Sequence, residues 1–247
     1  MNRRVAHITI SLASLLGWAS LLAFLVFLFL GPVIPVNVGL EKNEILWWDA
    51  GLSLLFFIQH SVMIRKSFRG WVARLIGEEY VGAVYTIASG IALSAAIVFW
   101  QESSETIVAV RGIARWLIYL IPVAALLGFA WGIRSLRFFD AFGLRPIINR
   151  LRGKEPGPVP LVAAGPYRWV RHPLYLFMLL MIWFNPSLST DRLLFDLLWT
   201  AWIVIGAWLE ERDLVAEFGD SYRRYQRQVP MLVPYRIPQE EKAGTVG

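Results

Sequence analysis

Long apolar runs constrain this chain more than any other feature of its sequence: Val5 to Leu30, Trp47 to Ile64, Tyr80 to Trp100, Trp116 to Ile133, Leu174 to Phe184 and Leu193 to Leu209. A hydrocarbon core about 30 Å thick takes roughly 20 apolar residues of helix, and only helices or closed barrels satisfy the backbone inside it. The runs therefore predict an all-α, polytopic integral membrane protein with about six transmembrane helices. The fifth run stops early at Asn185-Pro186, and its helix is expected to begin near Pro173, a residue suited to a first turn. With the sixth run it reads as a C-terminal helical hairpin joined by Asn185 to Asp191. Composition agrees: 57% of the residues are hydrophobic and 17% charged, far from a soluble average. Arg3 and Arg4 precede the first run as in a signal peptide, but the stretch is too long and no small-x-small site follows, so a retained first helix is expected.

Charge placement predicts orientation. With six spans, twenty of the 24 Lys and Arg residues fall on one side of the membrane and four on the other. The positive-inside rule then puts both termini and the segment Arg134 to Arg171 in the cytoplasm. The formal charge of +6 does not point to nucleic acid, because the cations form short clusters between apolar runs rather than an aromatic-interleaved stripe. With no cysteine, disulfides, a thiol nucleophile and thiolate metal sites are excluded. His7, His60 and His172 lie far apart without metal-ligand spacing, and no metal is expected.

Residues 1–247 read as one membrane domain: four N-terminal spans within 1–133, a cytoplasmic connector over 134–172, and a hairpin with an amphipathic helix over 173–238. Gly153, Pro156, Gly157, Pro158 and Pro160 make the second half of the connector a loop. From Glu210 to Gln228, Leu214, Phe218, Tyr222 and Tyr225 recur at helical spacing, predicting a cytoplasmic amphipathic helix ended by Val229-Pro230. Small residues in the spans mark no clean dimerisation face, and no oligomeric state is assigned.

The chemistry concentrates in Gly165-Pro166-Tyr167-Arg168-Trp169-Val170-Arg171-His172-Pro173-Leu174-Tyr175, answered by Glu210-Glu211-Arg212-Asp213. Arg, His and two carboxylates flanking one hairpin can hold a zwitterionic ligand, cations to its carboxylate and anions to its ammonium or hydroxyls. The plainer alternative is that Arg171 and Arg212 anchor helix ends at the interface. Glu210 and Glu211 diverge by about 100° on a helix, so one is expected to face a ligand and the other to pair with Arg171, Arg212 or a tail arginine. Asp49 is expected at the outer interface. Asp140 and Arg145 read as a salt bridge or a lid.

Arg171-His172-Pro173-Leu174-Tyr175, Glu210-Glu211, and Phe218-Gly219-Asp220-Ser221-Tyr222-Arg223-Arg224-Tyr225 with Val229-Pro230 resemble the isoprenylcysteine carboxyl methyltransferase superfamily of membrane enzymes. Phe56-Phe57-Ile58-Gln59-His60-Ser61-Val62-Met63-Ile64-Arg65, Asp140-Ala141-Phe142-Gly143-Leu144-Arg145 and Trp183 to Ser189 are similar to a bacterial subgroup. That subgroup includes methanethiol S-methyltransferases and nitrite-reduction-associated membrane proteins. Phe177 stands where a glycine is often found.

The resemblance implies S-adenosyl-L-methionine as methyl donor and the bacterial inner membrane as location, with the active site facing the cytoplasm. It implies that His172 and Tyr175 line the cofactor pocket, that backbone around Tyr167 cradles the cofactor, and that Pro173 fixes the start of the helix. Arg171 would pair the cofactor carboxylate or stabilise the fold, and Glu210 or Glu211 would take its ribose or ammonium. Methyl transfer depends on positioning and desolvation more than on acid–base groups. A thiol acceptor reacts as thiolate, so His60, in the second span, is a candidate base; it reads equally as a hydrogen-bonding residue inside the bundle. Tyr222, Tyr225 and Arg227 are candidates for the acceptor shell, or pack beneath the hairpin and bind lipid phosphate. The implied acceptor is a small thiol, or a lipid-like molecule reached from the membrane lipids. Isoprenylcysteine-type carboxyl O-methylation and lipid methylation are the alternatives within enzymes. A non-catalytic membrane protein related to nitrite-reduction accessory proteins is the alternative from another class. A transporter is disfavoured, since no paired broken helices occur.

Overall fold

A computed structural model of the chain describes residues 2–32, 36–136, 139–155, 157 and 160–236. Five helices are long and apolar enough to cross a membrane: Arg3–Leu30, Lys42–Ile64, Glu78–Val98 (with its leading 3-10 turn), Gly112–Ser135 and Thr190–Phe218. The fifth predicted run forms the shorter apolar helix Pro173–Trp183. The protein is an all-α polytopic membrane protein, as its runs predict. The chain packs as two compact units.

The first unit comprises Met1–Arg111, Asp140–Pro158 and Asn185–Trp199. Its helices are α1 (Arg3–Leu30), α2 (Lys42–Ile64), α3 (Lys66–Ile76), α4 (Val81–Val98) and α6 (Arg145–Leu151), with the opening of α8 (Thr190–Phe218). Asn2 starts α1 by accepting the Arg4 N–H at 3.0 Å. Helices α1 and α4 approach closely at Gly90, where a Cβ would lie 3.1 Å from the Leu16 carbonyl oxygen. Lipid tails are as apolar as leucine, so such close packing, rather than hydrophobic burial, holds helices together in a bilayer. Phe24, Phe56, Phe195 and Trp199 supply the aromatic core, with Trp199 stacked on Phe24 and Phe56 at centroid distances of 4.9 and 5.3 Å.

Several details of this unit go beyond the sequence reading. Asp49, near the start of α2, is fully buried, and its Oδ1 accepts the Gln101 N–H at 3.0 Å. Asp191 joins it in pinning the same segment, accepting from Trp100 Nε1 and Ser103 N at 3.1 Å each. Asp140 caps α6, accepting the N–H groups of Leu144 and Arg145 at 3.0 and 2.8 Å, and is thus a structural residue. Strands β1 (Thr106–Ala109) and β2 (Ser187–Ser189) pair antiparallel, which no alternation in the sequence announced.

The second unit comprises Gly112–Phe139, Val159–Phe184 and Thr200–Gly247. It holds α5 (Ile113–Ser135), α7 (Pro173–Trp183), the remainder of α8 and α9 (Asp220–Gln228). Helices α5 and α7 meet along Gly128 and Gly132, a small-residue face four positions apart that the sequence reading passed over. Gly128 faces the Phe177 ring, and a Cβ on Gly132 would come within 2.7 Å of Leu174 Cδ2. The Trp183 indole donates to Thr200 Oγ1 at 2.8 Å, closing the predicted hairpin of α7 and α8.

The helix predicted over Glu210 to Gln228 divides differently. Helix α8 runs unbroken for 29 residues, about 43 Å at 1.5 Å per residue, longer than a hydrocarbon core of about 30 Å, and Glu210 and Glu211 lie in its last third. Gly219, at φ +56°, then turns the chain into α9, and only Asp220–Gln228 is the amphipathic helix.

Candidate cofactor site

All seven residues proposed to hold a cofactor lie in the second unit. A 3-10 turn over Gly165–Arg168 opens at Gly165, whose φ of +58° and contact with Ser135 leave no room for a side chain. It buries Pro166 and Tyr167. The chain then pairs with the segment after α9: Arg171 N donates to the Pro230 carbonyl at 2.9 Å and His172 N to that of Met231 at 3.1 Å. Pro173, buried, takes the first position of α7, where its missing N–H costs nothing.

Glu211 is the hub. Its Oε1 accepts from Arg171 Nε at 2.8 Å, His172 Nε2 at 2.9 Å and the Tyr222 hydroxyl at 2.7 Å. Its Oε2 accepts from Arg171 Nη2 at 2.8 Å and Gln226 Nε2 at 2.6 Å. A carboxylate offers about four lone-pair positions, so these donors saturate it. The residue is 6% exposed. Arg171 is equally committed: its Nη1 donates to the Gln226 carbonyl at 3.0 Å and to that of Val229. Opposite a carboxylate, which only accepts, His172 Nε2 carries a hydrogen.

Glu210 is placed differently. Its side chain is 45% exposed, and its Oε2 accepts the Tyr175 hydroxyl at 2.7 Å and lies 3.8 Å from His172 Nδ1. The His172 and Tyr175 rings stack at 5.4 Å with 11° between planes. Helix divergence thus separates the two glutamates as the sequence predicts, one into the protein and one to its edge.

Tyr222 is buried at Glu211, and Tyr225 donates its hydroxyl to the Tyr167 carbonyl at 2.5 Å. Burial raises the phenol pKa of both above its ordinary value, helped at Tyr222 by the hydrogen bond to Glu211. Tyr167 is raised by the same burial. Tyr222 therefore joins the buried cluster as a donor to Glu211. Arg227 lies exposed on α9, where its carbonyl accepts from Arg236. His60, in the first unit, meets the Tyr85 hydroxyl at 2.8 Å through Nε2 and packs on Phe56 at a centroid distance of 5.4 Å. Among the described residues no group of three metal-ligating side chains converges. The sequence reading missed Gln226 and the accepting carbonyls of Val229, Pro230 and Met231. Position 226 was findable, one helical turn beyond Tyr222.

A helical membrane protein that folds its last helices around a buried Arg–Glu–His–Tyr cluster is the class that fold and site define. Within that class, the chain belongs to the NnrU protein family, whose model matches residues 50–221. Methanethiol S-methyltransferase of Crocosphaera subtropica is 37% identical over 221 residues, covering 84% of each chain. Methanethiol S-methyltransferase 2 of Bradyrhizobium diazoefficiens is 36% identical over 237 residues, 93% of this chain and 91% of that one. Nurim of Rattus norvegicus is 28% identical over 208 residues, 79% of this chain and 75% of its own length. The subgroup read from the motifs is the one these relatives define. No solved structure matches the chain.

Proposed function

We propose that the chain is an S-adenosylmethionine-dependent membrane methyltransferase that methylates a small thiol such as methanethiol at the cytoplasmic face. The observation that carries this reading is the division of labour between Glu211 and Glu210. Glu211 is saturated by five donors, whereas Glu210 presents a half-exposed carboxylate beside the Tyr175 hydroxyl and the second nitrogen of His172. An edge of this kind suits a ligand bearing an ammonium and ribose hydroxyls, which the donor has. Glu210 would take the ammonium or a hydroxyl, Tyr175 and His172 would line the pocket, and the turn at Tyr167 would cradle the cofactor with its backbone.

When bound, the donor supplies an electrophilic methyl group on a sulfonium. The protein's part is to position and to desolvate. An acceptor entering as its thiolate, its proton already given to water, would form the new S–C bond as the sulfonium S–C bond breaks and neutral S-adenosylhomocysteine leaves, so the in-line displacement needs no acid. Glu211 and Arg171 hold the turn and α7 in register, so that Tyr175 and Glu210 stay aligned. The relatives named as methanethiol S-methyltransferases support a small thiol as acceptor. The positive-inside distribution of charge supports the cytoplasmic face.

Calorimetric titration of the purified protein with S-adenosylhomocysteine, followed by headspace detection of dimethyl sulfide from methanethiol, tests the reading. Binding near one per chain together with product is expected. A folded protein that neither binds nor turns over belongs instead with non-catalytic accessory proteins.

A further inference from the structure

The helix α3 was not anticipated; in the sequence its residues count only as a basic cluster after the second span. The structure makes Lys66–Ile76 an 11-residue helix, joined to the end of α2 by Arg65 alone, which closes one helix and opens the next. It therefore starts where a membrane span ends.

At roughly 100° per residue its side chains divide cleanly. Lys66, Arg69 and Arg74 share one side. Trp71, Leu75, Phe68, Val72 and Ile76 fill an arc of about 140° on the other. Only part of that apolar arc is covered by protein: Val72 is 8% exposed, but Trp71 is 52%, Leu75 66% and Ile76 40% exposed. From Arg65 to Ile76 there is no acidic residue. Among the described residues, no ion pair engages Arg65, Lys66, Arg69 or Arg74.

We propose that α3 is an interfacial helix that binds anionic phospholipid, with Trp71, Leu75 and Ile76 set among the acyl chains and Lys66, Arg69 and Arg74 on the headgroup phosphates. Three observations select this occupant. The covalent tie to the end of α2 keeps α3 at the bilayer boundary. A bare apolar arc opposite a cationic one fits a surface that is itself apolar beneath and polar above. The cations without a balancing anion select negative headgroups over zwitterionic ones.

The test uses the full chain in nanodiscs of phosphatidylcholine alone or mixed equally with phosphatidylglycerol. Native mass spectrometry reads the lipid retained, and brominated lipid reads the depth of Trp71 as the quenching lost in Trp71→Phe. The wild type is expected to retain phosphatidylglycerol several-fold over phosphatidylcholine. The triple variant Lys66→Gln, Arg69→Gln, Arg74→Gln is expected to lose that preference while keeping the wild-type near-ultraviolet circular dichroism. Trp71 is expected to be quenched from the acyl region. A triple variant that keeps the preference overturns the assignment. So does a Trp71 that bromine does not reach, and if Leu75→Glu then splits a dimer in detergent, the face is a contact between copies of the chain.

Discussion

Arg171 and Glu211, forty positions apart, form a two-pronged ion pair, with Nε to Oε1 and Nη2 to Oε2 both at 2.8 Å and side chains only 10% and 8% exposed. Removing one partner of a buried pair strands the other charge, at a cost of roughly 3–5 kcal/mol. Arg171→Ala and Glu211→Ala are therefore expected to lower the thermal midpoint of the detergent-solubilised protein by many degrees. An unchanged midpoint in either variant would mean the pair contributes nothing to the fold.

Glu210→Gln is expected to behave in the opposite way. The side chain is half-exposed, and the amide oxygen of glutamine can still accept the Tyr175 hydroxyl, so the midpoint should stay near that of the wild type. A hydrogen bond to a charged group is worth about 1.5–3 kcal/mol, which predicts S-adenosylhomocysteine affinity weakened by about ten-fold or more. If calorimetry finds affinity intact in Glu210→Gln, this residue is not the ligand's partner.

Alkaline pH should expose the role of Tyr222. Its folded-state phenol pKa is raised above the ordinary 10.0 by burial and by the hydrogen bond to Glu211. Between the unfolded and folded values the unfolded chain binds fewer protons, so stability falls as pH rises. The contribution is whole below about pH 10 and is lost above it. Tyr222→Phe is expected to lose less stability than the wild type between pH 9 and about 11 in pH-dependent melting; parallel curves would count against this assignment.

The α5–α7 contact offers a test remote from the charges. A Cβ at Gly132 would meet Leu174 at 2.7 Å, so Gly132→Leu must force the two helices apart. Overpacking costs about 1–3 kcal/mol, and because α7 begins beside His172, cofactor affinity should fall along with stability. Gly206→Ala, in open surroundings on α8, serves as the control and should change neither. A Gly132→Leu protein as stable as the control would mean that the seam is loose.

How much of this was legible depended on the range over which each signal acts. Spans are local: an apolar run either covers the hydrocarbon or does not, and the predicted ends agree with α1, α2, α4 and α5 to within a few residues. Helix α3 escapes a reading by apolar runs because eleven residues with three cations carry no span signal, and its apolar residues show only as a helical period. The break at Gly219 was missed because apolar and aromatic residues keep their spacing across it. Only the backbone reveals the left-handed turn.

The local sequence by itself determined that this chain lives in a membrane, that Pro173 starts a helix, and that Glu210 and Glu211 point apart, because each follows from hydropathy or from the fixed rotation per residue. Which glutamate turns inward was decided by tertiary structure alone. Arg171, His172, Tyr222 and Gln226 reach Glu211 only because α8, α9 and the segment from Val229 to Met231 converge, and that convergence desolvates one carboxylate while its neighbour stays at the edge.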